Sequence, residues 1–250
     1  MGRSEAQTII TGRNAVREAL EREPLQLEHI CIRRGARGLY HLRRIADKAQ
    51  VQVKELPESG LTRIAGSVRH QGVIAVRAAL AYQDSVAMLA RIAPDLDTVK
   101  RKRPRLLLLD GIQDPRNFGA ILRTAVAAGV AGVIVPSRKM APLSDATLRA
   151  SSGTAARIPI ARVNALTDII WPLKERGFYV YGAAGAGESL WETNWQRSVA
   201  LVLGSEGRGL QVATARECDQ LVSVPLPGDA QSLNVAVAAG ILLFESLRVT

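Results

Sequence analysis

Two stretches of regular hydrophobic patterning, separated by one without it, organise the chain. In the first, residues 13–21 bring Val16, Ala19 and Leu20 onto one helical face, and residues 38–50 do the same with Leu39, Leu42, Ile45 and Ala46. Strand patterns fall at residues 29–33, 51–53 and 73–76, the last apolar throughout. In the second stretch Leu106, Leu107, Leu108 and Leu109 are apolar toward both faces, as in a parallel strand covered by helices. Strands follow at 131–135, 178–181, 199–203 and 221–224, with helices at 117–128, 144–151, 166–176 and 232–248. This alternation predicts an α/β fold with a parallel sheet and helices on both faces. The last helix is rich in Ala, Val and Leu on every side, which predicts burial all round, partly in the core and partly in a subunit interface.

The stretch between reads as a linker at 81–104. A short amphipathic piece at 86–92 leads into Pro94-Asp95-Leu96-Asp97 and the basic run Lys100-Arg101-Lys102-Arg103-Pro104. The expected organisation is therefore a small α/β domain at 1–80, the linker, and a larger domain at 105–250.

Composition narrows the class. With 47% apolar and 22% charged residues and a mean hydropathy of +0.06, the chain is not of the disordered type. The longest apolar stretch, 235–244, is about half of the roughly 20 residues a membrane span needs, and Gly240 interrupts it. No apolar run follows the charges at Met1–Ala6, so a cytoplasmic location is expected. Cys31 and Cys218 are too few for a disulfide framework, and His29, His41 and His70 show no ligand spacing with them, so no metal is expected.

Charge adds a partner. Residues 1–105 carry 16 Arg and 4 Lys against 11 acidic residues, whereas residues 106–250 are nearly balanced, at 13 basic and 12 acidic. A basic first part implies that it grips a polyanion, with nucleic acid the expected partner. Arginine dominates, with 27 of 33 basic residues, and its planar fork suits phosphate. Aromatic residues are only 4%, which favours shape and phosphate contacts over stacking on bases.

Three loops at the C-terminal ends of predicted strands concentrate glycine and polar residues, at the sheet edge where α/β proteins bind ligands. The first runs from Asp110-Gly111 to Arg123 and carries Asn117, which reads either as a helix cap or as a site residue. The second, Leu203-Gly204-Ser205-Glu206-Gly207-Arg208-Gly209, has the glycines for a sharp turn and close ligand approach, but neither the dinucleotide fingerprint nor the P-loop spacing. The third runs from Val224-Pro225-Leu226 to Ser232-Leu233-Asn234, with Ser232 as the expected N-cap of the last helix.

Together these three segments resemble the motifs of the SpoU/TrmH family of RNA ribose 2′-O-methyltransferases, of the SPOUT class. The resemblance extends to the N-terminus, where Thr11-Gly12-Arg13-Asn14-Ala15-Val16 and His70-Gln71-Gly72-Val73 are similar to the small substrate-binding domain of bacterial ribosomal members. The subgroup it points to is that of the 23S ribosomal RNA guanosine-2′-O-methyltransferases. The resemblance implies a C-terminal trefoil knot, a homodimer and S-adenosylmethionine as cofactor. It further implies that Gly204, Val224 and Leu233 line the cofactor pocket, and that Asn117, Arg123, Glu206, Ser232 and Asn234 form the catalytic cluster. Ala236 departs from the family pattern, in which Ser is frequent, and Val224 stands where Ile is common.

A ribose hydroxyl does not ionise at neutral pH, so a site for this reaction must orient it and take its proton. The family's mechanism gives the base role to the residue matching Arg123, yet a guanidinium stays protonated. A phosphate clamp is the physically easier role for Arg123, with Glu206 and Asn117 orienting it or the hydroxyl. Ribosomal RNA is favoured as partner because of the separate basic domain. A transfer RNA 2′-O-methyltransferase and a non-catalytic RNA-binding protein of the same fold stay open as alternatives.

Overall fold

The computed structural model describes residues 9–229 and 231–248; the reading of Met1–Ala6 lies outside them. The chain forms two compact units. Unit 1 is drawn from residues 1–82 with Pro142–Ser144, and unit 2 from the remainder.

Unit 1 contains β1 (Ile9–Thr11), α1 (Arg13–Arg22), β2 (Leu27–Arg33), α2 (Tyr40–Lys48), β3 (Gln52–Leu56), α3 (Glu58–Ala65) and β4 (Val73–Arg77). Its sheet has the order β1-β4-β2-β3, with only β2 and β3 parallel. The helical faces read from the sequence supply its core. Val16, Ala19 and Leu20 from α1 and Leu42 and Ala46 from α2 pack with Ile30, Ile32, Val73 and Ala75.

Unit 2 opens with α4 (Ser85–Ile92) and α5 (Leu96–Lys102), where a linker is expected. The correction has a clear cause. Asp84 and Asp95 cap the two helices through their side chains, and Met88, Leu89, Ala93 and Val99 are buried in the unit's main core beside Leu106 and Ile134. The remaining elements are β5 (Arg105–Asp110), α6 (Pro115–Ala127), β6 (Gly132–Pro136), α7 (Asp145–Ala150), β7 (Ile160–Val163), α8 (Thr167–Glu175), β8 (Tyr179–Ser189), β9 (Val199–Gly204), α9 (Val212–Glu217), β10 (Gln220–Ser223) and α10 (Val235–Arg248). Six strands make one wholly parallel sheet in the order β10-β8-β9-β5-β6-β7. Every residue of β5, β6, β7 and β9 is buried, as the apolar runs within β5, β6 and β9 require; β7, which carries Arg162, has no such run and is not among the expected strands.

Two features shape the functional edge. Pairing of β8 with β10 jumps from Leu221↔Gly182 to Val222↔Glu188, so the small residues between them on β8 leave the ladder. A side chain at Gly187 would meet the Val222 backbone nitrogen at 2.5 Å, which is why the ladder resumes only past a glycine. Within one chain α10 is buried along part of its surface only: Val237, Ile241 and Phe244 are 51%, 37% and 51% exposed. Their spacing of four and three residues makes one apolar stripe. No helix among the described residues is long and apolar enough to cross a membrane.

Candidate active site

The first predicted loop leaves β5 at Asp110 and enters α6. Asp114, not Asn117, caps that helix: its carboxylate accepts the Arg116 backbone N–H at 2.8 Å, and Pro115 follows at the first helical position. Those hydrogen bonds from Arg116 hold the Asp114 carboxyl below the usual range. Relieved of capping, Asn117 sits in the first turn, where its Nδ2 donates to Glu206 Oε1.

The second loop is a closed turn. Ser205 N–H donates to the Gly209 carbonyl at 3.0 Å, Gly209 N–H returns to the Ser205 carbonyl at 2.8 Å, and Gly209 takes a positive φ of 64°. One residue past Leu210 the loop is tied to the end of β5. The buried Asp110 carboxylate accepts the Gln211 backbone N–H at 2.8 Å and also the Gln211 side-chain amide. A buried carboxylate with both oxygens bonded fixes the loop against the sheet, and with it Glu206 near the tip.

In the third segment the helix begins at Val235, three residues later than expected, and Asn234 rather than Ser232 is its cap. Asn234 Oδ1 accepts the N–H groups of Ala236 at 2.9 Å and Val237 at 3.4 Å. That assignment orients the amide, so its Nδ2 faces the site and donates to Glu206 Oε1 at 2.8 Å and Asn117 Oδ1 at 3.1 Å. Residues from three separate loops thus meet in a triangle of Asn117, Glu206 and Asn234. Glu206 Oε2 has no protein partner among the described residues.

Two hollows flank this triangle. One is a cavity of about 250 Å³ whose walls include Leu203, Gly204, Val222, Val224, Leu226, Ser232 and Leu233. The other is a cleft of about 360 Å³ lined by Gly111 to Asp114, Asn117 and Ser205 to Arg208. Ser205, Glu206 and Val235 line both. Gly204, Val224, Leu233 and Ser232 are therefore neighbours in the cavity wall. Arg123 lines neither hollow; it is exposed on α6 and donates through Nη1 to Ser152 Oγ at 3.2 Å. Ala183, Ala184 and Gly185 also line the cavity, from the segment where β8 leaves the ladder. Sequence reasoning missed them, although the run Gly182-Ala183-Ala184-Gly185-Ala186-Gly187 after a strand was a visible signal of close approach. No three His, Cys, Asp or Glu side chains among the described residues are placed to hold a metal ion.

An open parallel sheet with three loops converging on a cavity at its C-terminal edge defines a ligand-binding α/β protein, and comparison with known proteins specifies which. Residues 104–244 match the SpoU rRNA Methylase family, and residues 9–83 match the family of RNA 2′-O ribose methyltransferase substrate binding domains. The chain belongs to the SpoU rRNA methylase family. It is similar to the 23S rRNA (guanosine-2′-O-)-methyltransferase RlmB of Xanthomonas campestris pv. campestris, with 38% identity over 98% of both chains. It is similar also to the protein of that name from Vibrio cholerae, with 36% identity over 96% of both. Among solved structures, an AdoMet-bound rRNA methyltransferase from Sinorhizobium meliloti matches with a TM-score of 0.60 and 29% identity, covering 98% of this chain and 88% of that one.

Proposed function

We propose that this protein transfers a methyl group from S-adenosylmethionine to the 2′-hydroxyl of a guanosine ribose in 23S ribosomal RNA. The observation that carries the reading is that Glu206, bonded to Asn117 and Asn234, lines both hollows, so a group on one side can react with a group on the other. The names of the relatives from Xanthomonas and Vibrio support the substrate, and the AdoMet-bound neighbour supports the cofactor.

The cavity fits that cofactor. Leu203, Val222, Val224, Leu226 and Leu233 offer apolar walls to a flat adenine, and Gly204 lets backbone groups come close, since a Cβ there would lie 2.1 Å from the Gly209 carbonyl carbon. When bound, S-adenosylmethionine supplies an electrophilic methyl group on a cationic sulfonium. The chain's own residues do the rest. The cleft holds the ribose, and its 2′-hydroxyl donates to the open Oε2 of Glu206. Bonding of the hydroxyl oxygen to the methyl carbon, with the carbon–sulfur bond breaking to leave a neutral thioether, would acidify the hydroxyl proton, and that carboxylate would take it. Asp114, also in the cleft, is a poorer base than an ordinary aspartate because the hydrogen bonds from Arg116 stabilise its ionised form. Asn117 and Asn234 fix the carboxylate through Oε1, and Ser232 lies in the cavity wall to bind polar groups of the cofactor.

Arg123 acts as a clamp on a phosphate near the target. The homodimer and the trefoil knot go with this reading: the exposed stripe of Val237, Ile241 and Phe244 supports the first, and the convergence of segments after β8, β9 and β10 on one cavity supports the second. A cytoplasmic location follows from a ribosomal RNA substrate. With labelled cofactor and separated ribosomal and transfer RNA, the expected result is transfer to ribosomal RNA by the wild type. Arg123→Lys keeps the charge but loses the planar fork, so KM for RNA rises and kcat falls together, each by about tenfold. Label confined to transfer RNA would overturn the substrate, and normal RNA binding with abolished turnover in Arg123→Lys would overturn the clamp.

A further inference from the structure

Unit 1 holds a polar hollow of its own, distant in sequence from the residues of the candidate active site. It is lined by Arg13, Arg33, Glu58, Val68, Gln71 and Gly72. These come from the two short N-terminal motifs and from the elements beside them, and the fold joins them through specific bonds. Arg13 N–H donates to Gln71 Oε1 at 3.0 Å, and Arg13 Nε donates to the Gln71 carbonyl at 3.3 Å. Both contacts leave donors over: Nη1 and Nη2 of Arg13 and Nε2 of Gln71 have no hydrogen-bond partner among the described residues.

The hollow is held in shape from beneath. His70 is fully buried, and its Nδ1 accepts the Gly72 N–H at 3.1 Å. Its other ring nitrogen, Nε2, lies 3.1 Å from Thr62 Oγ1 and 3.4 Å from Glu58 Oε1. Between His70 and Gly72, Gln71 adopts a φ of 53°, a conformation uncommon for a residue with a side chain. That arrangement presents the Gln71 amide outward instead of packing it. Glu58 does not cancel the positive charge, because Arg33 Nη1 already pairs with its Oε2 at 3.1 Å, which leaves the guanidinium of Arg13 as the net charge of the hollow. At its rim Val68 is 75% exposed, an apolar surface beside the charged group.

We propose that this hollow is the point at which unit 1 holds one unpaired nucleotide of the RNA substrate, its phosphate on Arg13 and Gln71 and its base against Val68. The inference rests on the reading of RNA as substrate and adds a residue-level site to it. A pre-oriented guanidinium with both Nη groups open, next to a free amide donor, matches the two-pronged geometry of a phosphate. A concave site with an apolar rim suits a splayed-out nucleotide better than a duplex, whose phosphates lie on a convex surface.

The test uses the full chain and deproteinised 23S ribosomal RNA from cells lacking the modification, with the RNA dissociation constant read by filter binding and turnover read separately. Arg13→Ala is expected to weaken RNA binding about tenfold and to lower the slope of log affinity against log salt by about 0.7 to 0.9, the contribution of one phosphate contact. S-adenosylmethionine affinity stays within twofold. Gln71→Glu keeps the oxygen that accepts the Arg13 N–H but replaces the open donor with an anion, so it weakens RNA binding at least as much while the melting temperature is unchanged. Arg22→Ala, an exposed arginine at the far end of α1, changes binding less than twofold. RNA binding by Arg13→Ala and Gln71→Glu equal to wild type, or an equal loss in Arg22→Ala, would overturn the proposal. Because binding is read apart from turnover, a wild type that binds but does not methylate would count against the proposed activity and leave the hollow's role to the variants.

Discussion

Replacing Glu206 with Ala is expected to lower kcat for methyl transfer by at least about 10²-fold, the usual worth of a positioned proton acceptor, with S-adenosylmethionine affinity changed far less. The alanine removes the one oxygen that accepts from both Asn117 Nδ2 and Asn234 Nδ2, and with it the open oxygen to which the proposed reading assigns the hydroxyl proton. Glu206→Gln separates those two losses. Glutamine retains an amide oxygen able to accept from the asparagines, so a purely positional role would leave activity within about tenfold of wild type. A carboxylate that takes the proton leaves Glu206→Gln nearly as inactive as Glu206→Ala, and this is the expected result. Single-turnover rates at saturating RNA measure it directly, because they exclude product release.

Gly204→Ala is expected to reduce S-adenosylmethionine affinity by about 10²-fold or more, equivalent to about 2.7 kcal/mol. A Cβ at this position would lie 2.1 Å from the Gly209 carbonyl carbon, 2.3 Å from the Gly209 oxygen and 2.3 Å from the Leu210 nitrogen. All three are backbone atoms, so no side chain can rotate away. The Ser205–Gly209 turn must move, carrying Glu206 from its partners and reshaping the cavity wall. Overpacking of this kind costs about 1–3 kcal/mol of stability, or several degrees of melting temperature in a chain of this length. Gly207→Ala is the matched control in the same turn: nothing lies within 4 Å of its added Cβ, so binding and melting stay near wild type. Calorimetric titration of both variants decides the matter, and cofactor binding by Gly204→Ala within threefold of wild type would contradict it.

The central strands of the parallel sheet were the most legible part of the molecule, because strands buried on both faces carry unbroken apolar runs through their middles. Leu106 to Leu109 and the run ending at Leu203 show this directly. Capping was harder. Asp114-Pro115 carries the proper start signal for α6, but Asn117 is also a capping residue type, and only the observed bond from Asn117 to Glu206 decides between them. Residues 81–104 misled because the amphipathic piece that becomes α4 is only eight residues long and α5, at seven residues beside Pro94 and within a basic run, shows no period of its own. The extension of β8 into Gly and Ala residues has no hydrophobic period at all. The three site loops were visible from composition, yet the triangle joins residues 89, 117 and 28 positions apart, and such meetings are set by strand order, which local pattern does not encode. Arg123 shows the converse: its motif spacing suggests membership of the cluster, while within one chain its bond is to Ser152.

Nucleoside analysis of 23S ribosomal RNA methylated by the purified protein with methyl-labelled S-adenosylmethionine tests the central claim most directly. The RNA is taken from cells lacking the modification and digested to nucleosides. The account requires the label in 2′-O-methylguanosine, with none when Glu206→Ala replaces the wild type. Label on a nucleobase, or no transfer to RNA by a protein that binds the cofactor, would contradict it.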